Sequence, residues 1–323
     1  MQITLFDTAI GTSNVGDEII LKSAEEHIDF LLNKSYVIRF ATHLSNFHWF
    51  QYLRRNFKIE AANNCDFKFI LGTNLLTNNM IRTRYQWYID IFSKKLYKNS
   101  IMYGVGRTDY SGTIDICTKH IYDYILRKDI IHSVRDDESK IFIESLNRKA
   151  VNTGCPTLWK LNQEHCFGIP KKRSKKVVIS LSGYDDQVNK EKDIAFLKII
   201  KKNYNEIYFW VQTLVDRQYY ESLGINLNVK YVYSLHDFSK LLNNGNIDYI
   251  GTRLHGGIYA LQHKIRSIVL AIDNRARGFK KTNNIVCLER DDIDLLNDMI
   301  NSDFETKINI PEKEINKWLS QFE

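Results

Sequence analysis

Short apolar runs alternate along this chain with stretches whose apolar positions recur every three or four residues. The first run, ITLFDTA, is followed by Ile19, Ile20, Ala24, Ile28 and Leu31 at helical spacing. That predicts a strand and then a helix starting near Asp17. SYVIRFATH reads as the next strand, a polar and aromatic stretch around residues 45–57 as a helix, and DFKFILGTNLL as a buried strand ending in Gly72, Thr73 and Asn74. NSIMYGVG is a further strand. IIHSVRDDESKIFIESL reads as strand, turn and helix, and KAVNTGCPTLW as a last strand closing on Pro156. From Asn162 to Lys176 the alternation lapses into a polar, basic segment. It restarts with KVVISLSGY, EIYFWVQTL, VKYVYSL, IDYIG, RSIVLAI and NNIVCLE as strands between helical stretches. The tail segments DIDLLNDMI and PEKEINKWLSQF are amphipathic, with Pro311 at a helix start.

Strands alternating with helices on both sides of one lapse predict an α/β protein of two doubly wound Rossmann-like domains, residues 1–165 and 166–323, facing a cleft. This is a glycosyltransferase-B-like arrangement, with the C-terminal helices able to pack back on the first domain. At 323 residues each half is long enough for its own core. The 44% hydrophobic and 26% charged content fits a globular chain. No apolar run approaches the roughly 18 residues of a membrane helix. The first residues enter a strand with no basic leader, so the expected location is cytoplasmic. Five scattered cysteines without a C-x-x-C pair argue against a zinc site and a disulfide framework, and no metal is expected. The net charge of +7 is modest. The basic cluster from Lys171 to Lys176 reads as a solvated linker that permits a peripheral stay at an anionic membrane. No motif points to nucleic acid.

Candidate chemistry concentrates in NIDYIGTRLHGGIYALQHKIRSIVLAIDNRARGFK, which reads as a complete βαβ unit. Arg253 and His255 fall at the carboxyl edge of its first strand, where ligands bind in parallel sheets. Gly256 and Gly257 are expected to open the helix, offering N–H groups to an anion and letting a ligand approach the backbone. Asp273, Arg275 and Arg277 form a second basic group after the next strand. Asn14, Gly16 and Asp17 occupy the first strand-to-helix turn, as a helix cap or as a ligand-binding turn. Gln212 and Asp216 leave the strand EIYFWVQ at its carboxyl end, within reach of the cleft.

Five stretches in order carry a family resemblance: N-x-G-D at Asn14–Asp17, S-V-R-D-x-E-S at Ser133–Ser139, T-G-C-P-T-L at Thr153–Leu158, R-L-H at Arg253–His255 and D-N-R-A-R-G-F at Asp273–Phe279. Together they resemble the polysaccharide pyruvyl transferase family. The resemblance implies the same two-domain fold, with the acceptor on the first domain and the donor on the second. Phosphoenolpyruvate would be the donor substrate, with no other cofactor, and a sugar of a surface polysaccharide or its lipid-linked precursor the acceptor. Arg253 matches the family's phosphoenolpyruvate-binding arginine and His255 its proposed general acid. Such chemistry needs a proton donor that titrates near neutrality and a cationic fork for adjacent carboxylate and phosphate groups, which suits histidine and arginine. Many members carry a donor-gripping arginine where this chain has Ser182, and the glycine run after the first domain's central strand is reduced to Gly72-Thr73-Asn74. The alternative is a glycosyltransferase of the same architecture, in which Arg253 and the Gly256 helix would hold the diphosphate of a nucleotide-activated sugar. A third expectation, from another class, is a non-catalytic glycan-binding subunit. Oligomeric state is open.

Overall fold

Residues 1–80, 87, 89–108 and 112–323 are described in the computed structural model, and the chain divides into two units. One comprises Met1–Thr12, Ile20–Trp159 and Pro311–Glu323; the other comprises Ser13–Ile19 and Lys160–Ile310. No helix among the described residues is long and apolar enough to cross a membrane.

In the first unit, β1 (Gln2–Asp7), β2 (Tyr36–Ala41), β3 (Phe67–Leu71) and β5 (Ile101–Tyr103) form a parallel sheet of order β2-β1-β3-β5. Beyond them β4 (Asn74–Leu76) pairs with β6 (Gly106–Arg107), and β7 (Ile131–Val134) with β8 (Lys149–Asn152). Side chains alternate across the sheet, so one set of residues builds two cores. Phe6, Ile70 and Met102 face one; Leu5, Phe69 and Tyr103 face the other. The final helix, Glu312–Leu319, closes the second core with Trp318, which is fully buried and stacks on Tyr103 at 4.5 Å.

The single helix expected around residues 45–57 is two short ones, Trp49–Leu53 and Phe57–Asn63. Asn56 separates them, because its side-chain oxygen accepts from the Lys58 amide at 3.0 Å and caps the second helix. A short polar side chain that bonds its own backbone interrupts a helix.

In the second unit, β9 (Lys176–Ser180), β10 (Glu206–Trp210), β11 (Lys230–Val232), β12 (Asp248–Gly251), β13 (Ser267–Ala271) and β14 (Cys287–Glu289) form a parallel sheet of order β11-β10-β9-β12-β13-β14. Again two cores result. Ile179, Phe209, Ile250 and Leu270 lie on one face, and Val178, Trp210 and Tyr249 on the other. The segment 13–19 joins this unit through Ile19, buried beside Val178 and Trp210, and through the Val15 amide, which donates to the Gln212 carbonyl at 3.0 Å. Strand order reverses between β9 and β12, which makes the carboxyl ends of those two strands the unit's switch point.

One buried histidine of the first unit sets a pH limit on folding. His132 is fully buried, accepts the Met102 amide at Nδ1 and so presents Nε2–H to the Arg127 carbonyl at 2.9 Å. Burial, with the Arg127 bond opposing it, lowers its pKa from 6.5 to about 4. The folded form therefore holds the neutral ring, while the unfolded chain takes up a proton below about pH 6.5. Its contribution is present above that pH and is lost as pH falls towards 4, roughly 3 kcal/mol in total. Urea unfolding between pH 7 and 4 should show this slope, and a His132→Gln variant, whatever its stability at pH 7, should show a shallower one.

Candidate functional site

The ends of β9 and β12 are stitched together. The Thr252 amide donates to the Ser180 carbonyl at 3.0 Å, and the Ser182 amide donates to Thr252 Oγ1 at 2.7 Å. Tyr249, on β12, donates its hydroxyl to the Arg253 carbonyl at 2.8 Å. This fixes Arg253 as the residue preceding the helix Leu254–Gln262. The helix thus starts two residues earlier than the glycines suggest, and half-buried His255 stands in its first turn.

Gly256 and Gly257 serve a different need from the one expected of them. A Cβ on Gly256 would come within 2.7 Å of Tyr249 Oη, and one on Gly257 within 2.8 Å of Val269 Cγ2. Their bare faces are turned to the sheet, so close helix–sheet packing explains both glycines. What this helix start offers an anion is N–H groups and the positive end of its dipole.

Arg253 is buried, and its environment is built around it. Nε donates to Asp216 Oδ2 at 2.9 Å, while Nη2 bonds Asp216 Oδ1 and reaches Thr213 Oγ1 at 3.1 Å. The guanidinium lies 4.5 Å over the ring of Tyr184. Asp216 has no exposed surface and also accepts the amides of Thr213 at 3.1 Å and Gly183 at 3.0 Å. Two charge-assisted bonds and a ring face leave the guanidinium one orientation.

The turn that follows β10 also meets the N-terminal segment. Gln212 Nε2 donates to Asn14 Oδ1 at 2.8 Å, the same oxygen that caps the Gly16 amide at 2.9 Å. A side chain at Gly16 would strike Gln212 Nε2 at 2.7 Å. Asn14 therefore caps the turn, the first of its two expected roles, and is also fixed to a residue at the sheet edge. Gln212 is 4% exposed, and its Oε1 is buried without a hydrogen-bond partner among the described residues. Asn14, Gly16, Gln212, Thr213, Asp216, Arg253 and His255 thus come from three sheet-edge turns of a single unit. The division at residue 165 had put Asn14 to Asp17 in the other domain; the hydrogen bonds to Gln212 put them in this one.

Ser182 is buried and donates to Gln187 Oε1 at 2.6 Å. Arg290 donates to the Gln187 carbonyl at 2.5 Å and stands 3.5 Å from Asp193. The first unit's counterpart, Gly72-Thr73, takes left-handed angles at both residues, φ 43° and 59°. For a β-branched threonine that geometry costs about 1–2 kcal/mol.

The model of the polysaccharide pyruvyl transferase family matches residues 14–274, well over half of the chain. The chain belongs to that family. Its members are transferases of polysaccharide chemistry, and the matched span holds every residue of the Asn14–Gln212–Arg253 group. Among solved structures, the UDP-GlcNAc 2-epimerase of Methanocaldococcus jannaschii aligns with 100% of this chain and 99% of its own, at 13% identity and TM-score 0.54. A putative UDP-N-acetylglucosamine 2-epimerase from Listeria monocytogenes aligns over 99% of this chain and 90% of its own, at 10% identity and TM-score 0.54. These likenesses show the glycosyltransferase-B-like fold. No curated protein matches the chain by sequence.

Arg275 and Arg277 lie just beyond the matched span, on the helix Asn274–Asn283 that Asp273 caps. Arg275 is paired with Asp273 at 2.7 Å and Arg277 with Glu289 at 3.0 Å. The structure does not join either to the Arg253 group. Sequence reasoning missed Thr213 and Tyr184 and took Asp216 for a residue within reach of the cleft. The signal was Thr213-x-x-Asp216, a helix-start box in which the aspartate's second task is to hold an arginine.

Asp216→Ala should destabilise the protein by about 3–5 kcal/mol, because it strands a buried guanidinium. Asp216→Asn should cost less, and the double change Asp216→Leu with Arg253→Met should recover much of the loss. Urea unfolding of the wild type and these variants, with Asp216→Leu and Arg253→Met also made singly to complete the cycle, measures this. Additive single-change effects would show that the pair does not act as a unit.

Proposed function

We propose that this family member transfers pyruvate from phosphoenolpyruvate to a sugar of a surface polysaccharide or its lipid-linked precursor, forming a ketal. The observation that carries this is Arg253, locked by Asp216, Thr213 and Tyr184 at the switch point, two residues before His255 in the first turn of a helix. A donor bearing a carboxylate and a phosphate needs a fixed cationic fork, and the remaining Nη1 edge of Arg253 together with the helix start supplies one.

The chemistry follows from the placement. His255 gives a proton to the methylene carbon of phosphoenolpyruvate, and C2 becomes electrophilic. A sugar hydroxyl adds to C2 and loses its proton. The C2–O bond to phosphate then breaks, phosphate leaves with its electron pair, and a second sugar hydroxyl closes the ring. Gln212 Oε1, with an acceptor position to fill, suits a hydroxyl of the acceptor. The buried Asp216 offsets the charge of Arg253, so the fork orients the donor without holding product phosphate too tightly.

A nucleotide-sugar glycosyltransferase is the alternative, favoured by one observation: Ser182 is buried and bonded to Gln187 where many relatives place a second donor-binding arginine. Thermal unfolding with phosphoenolpyruvate and with a panel of nucleotides and nucleotide sugars separates the two. A ligand at 100 times its dissociation constant adds roughly 2.7 kcal/mol to the folded state. The expected result is stabilisation by phosphoenolpyruvate, kept in His255→Asn while ketal formation falls by about 100-fold or more. Stabilisation by nucleotides alone would transfer the assignment to the glycosyltransferase.

A further inference from the structure

Between Asp29 and Glu60 the sequence contains no acidic residue for thirty positions, and the far end of that stretch reads F-H-W-F-Q-Y-L-R-R-N-F-K. The structure turns this segment outward. Trp49 is 61% exposed, Leu53 57% and Phe57 75%, with Phe50 beside Trp49 at 6.1 Å between rings. Trp49, Phe50 and Leu53 stand at i, i+1 and i+4 of their helix, one face of a turn, while Tyr52 is buried on the other side. An exposed cluster of large apolar side chains on a folded unit marks an interaction site.

The charges around it say what kind. Arg54 and Arg55 are exposed next to Leu53, and Lys58 follows Phe57. A cavity of about 540 Å³ has Leu53, Arg54 and Arg55 on one part of its wall and Lys95 and Lys98 on another. Of its lining residues Glu60 alone is acidic, and it is paired with Arg55 at 2.8 Å. Bulky apolar and aromatic side chains ringed by arginine and lysine, beside a hollow lined by basic groups, match the interface of an anionic bilayer. The basic stretch from Lys171 to Lys176 is a poorer candidate, because Lys171 is paired with Glu305 and Lys176 with Glu206.

We propose that the Trp49–Lys58 face docks the protein on an anionic lipid surface, with Trp49, Leu53 and Phe57 entering the headgroup region and the basic rim meeting lipid phosphates. This does not depend on which donor the enzyme uses.

The test uses the full chain and vesicles without glycan or donor: phosphatidylcholine alone, and phosphatidylcholine with phosphatidylglycerol. Of the five tryptophans, Trp87, Trp159, Trp210 and Trp318 are at most 6% exposed, so quenchable emission reports Trp49. Sedimentation with the anionic vesicles is expected, with a blue shift and loss of acrylamide quenching. Arg54→Glu with Arg55→Glu should lower partitioning by about 20-fold or more. Leu53→Ser with Phe57→Ser, a surface change that keeps the reporter, should lower it by about 10-fold. Absence of binding, equal binding to both vesicle types, or binding with unchanged Trp49 emission would overturn the proposal. So would a lipid-free dimer that the Leu53→Ser, Phe57→Ser variant abolishes, since a second copy would then cover this face.

Discussion

A carboxylate without exposed surface and an arginine that it holds in one orientation organise the sheet edge of the second unit. Asp216 accepts four bonds, two from Arg253 and two from the backbone of Thr213 and Gly183. Together the four bonds tie three segments. The turn after β9, the helix start after β10 and the strand end of β12 meet on one side chain. Burying such a pair gains little net stability over apolar packing. What it secures is a single position for a cation that a flexible surface arginine would occupy only part of the time.

The tight stitching of β9 to β12 supports the same end. Most parallel sheets open at the switch point and leave a crevice there. Here Thr252 and Ser182 close the backbone across it, and Ser182 is committed to Gln187. What projects at this edge is thereby side chains, Arg253, His255 and Gln212, carried by the following turns. The two glycines of the helix serve that arrangement. Without side chains on the sheet side, the helix settles against Tyr249 and Val269, and its first turn comes down to the strand ends.

Much of this was legible in the chain. Alternation of apolar runs with helical spacing exposes parallel strands because their period and flanking turns are local properties. Arg253 and His255 were locatable for the same reason: they fall between a strand and a helix whatever the rest does. Gly256 and Gly257 were located but misread, since a glycine that admits a ligand and one that admits a neighbouring strand look alike in sequence. The bonds that Asp216 and Asn14 make were hidden for another reason. Their meaning lies in partners 37 and 198 residues away, and no periodicity reports such distances. A helix-start box at Thr213 explains Asp216 adequately by itself, which conceals its second role. The exposed aromatics of residues 47–58 belong to a third class. Their pattern fits a core helix, and only the side on which Tyr52 is buried tells outside from inside.

The bond between Asn14 and Gln212 has a consequence for how the chain is made. Residues 13–19 leave the ribosome well before Gln212, yet the unit that takes them in needs residues up to 310. At about 5–20 residues per second, the interval between Asn14 and Gln212 alone lasts about 10–40 s. During that time Ile19 has no core to enter, while most of the first unit's sheet is already complete in sequence. Synthesis therefore supplies the parts of the second unit out of order, and its sheet edge is completed by a strap made before the sheet itself. A fragment cut at the basic linker would lack that strap, and with it the side chain that fixes Gln212.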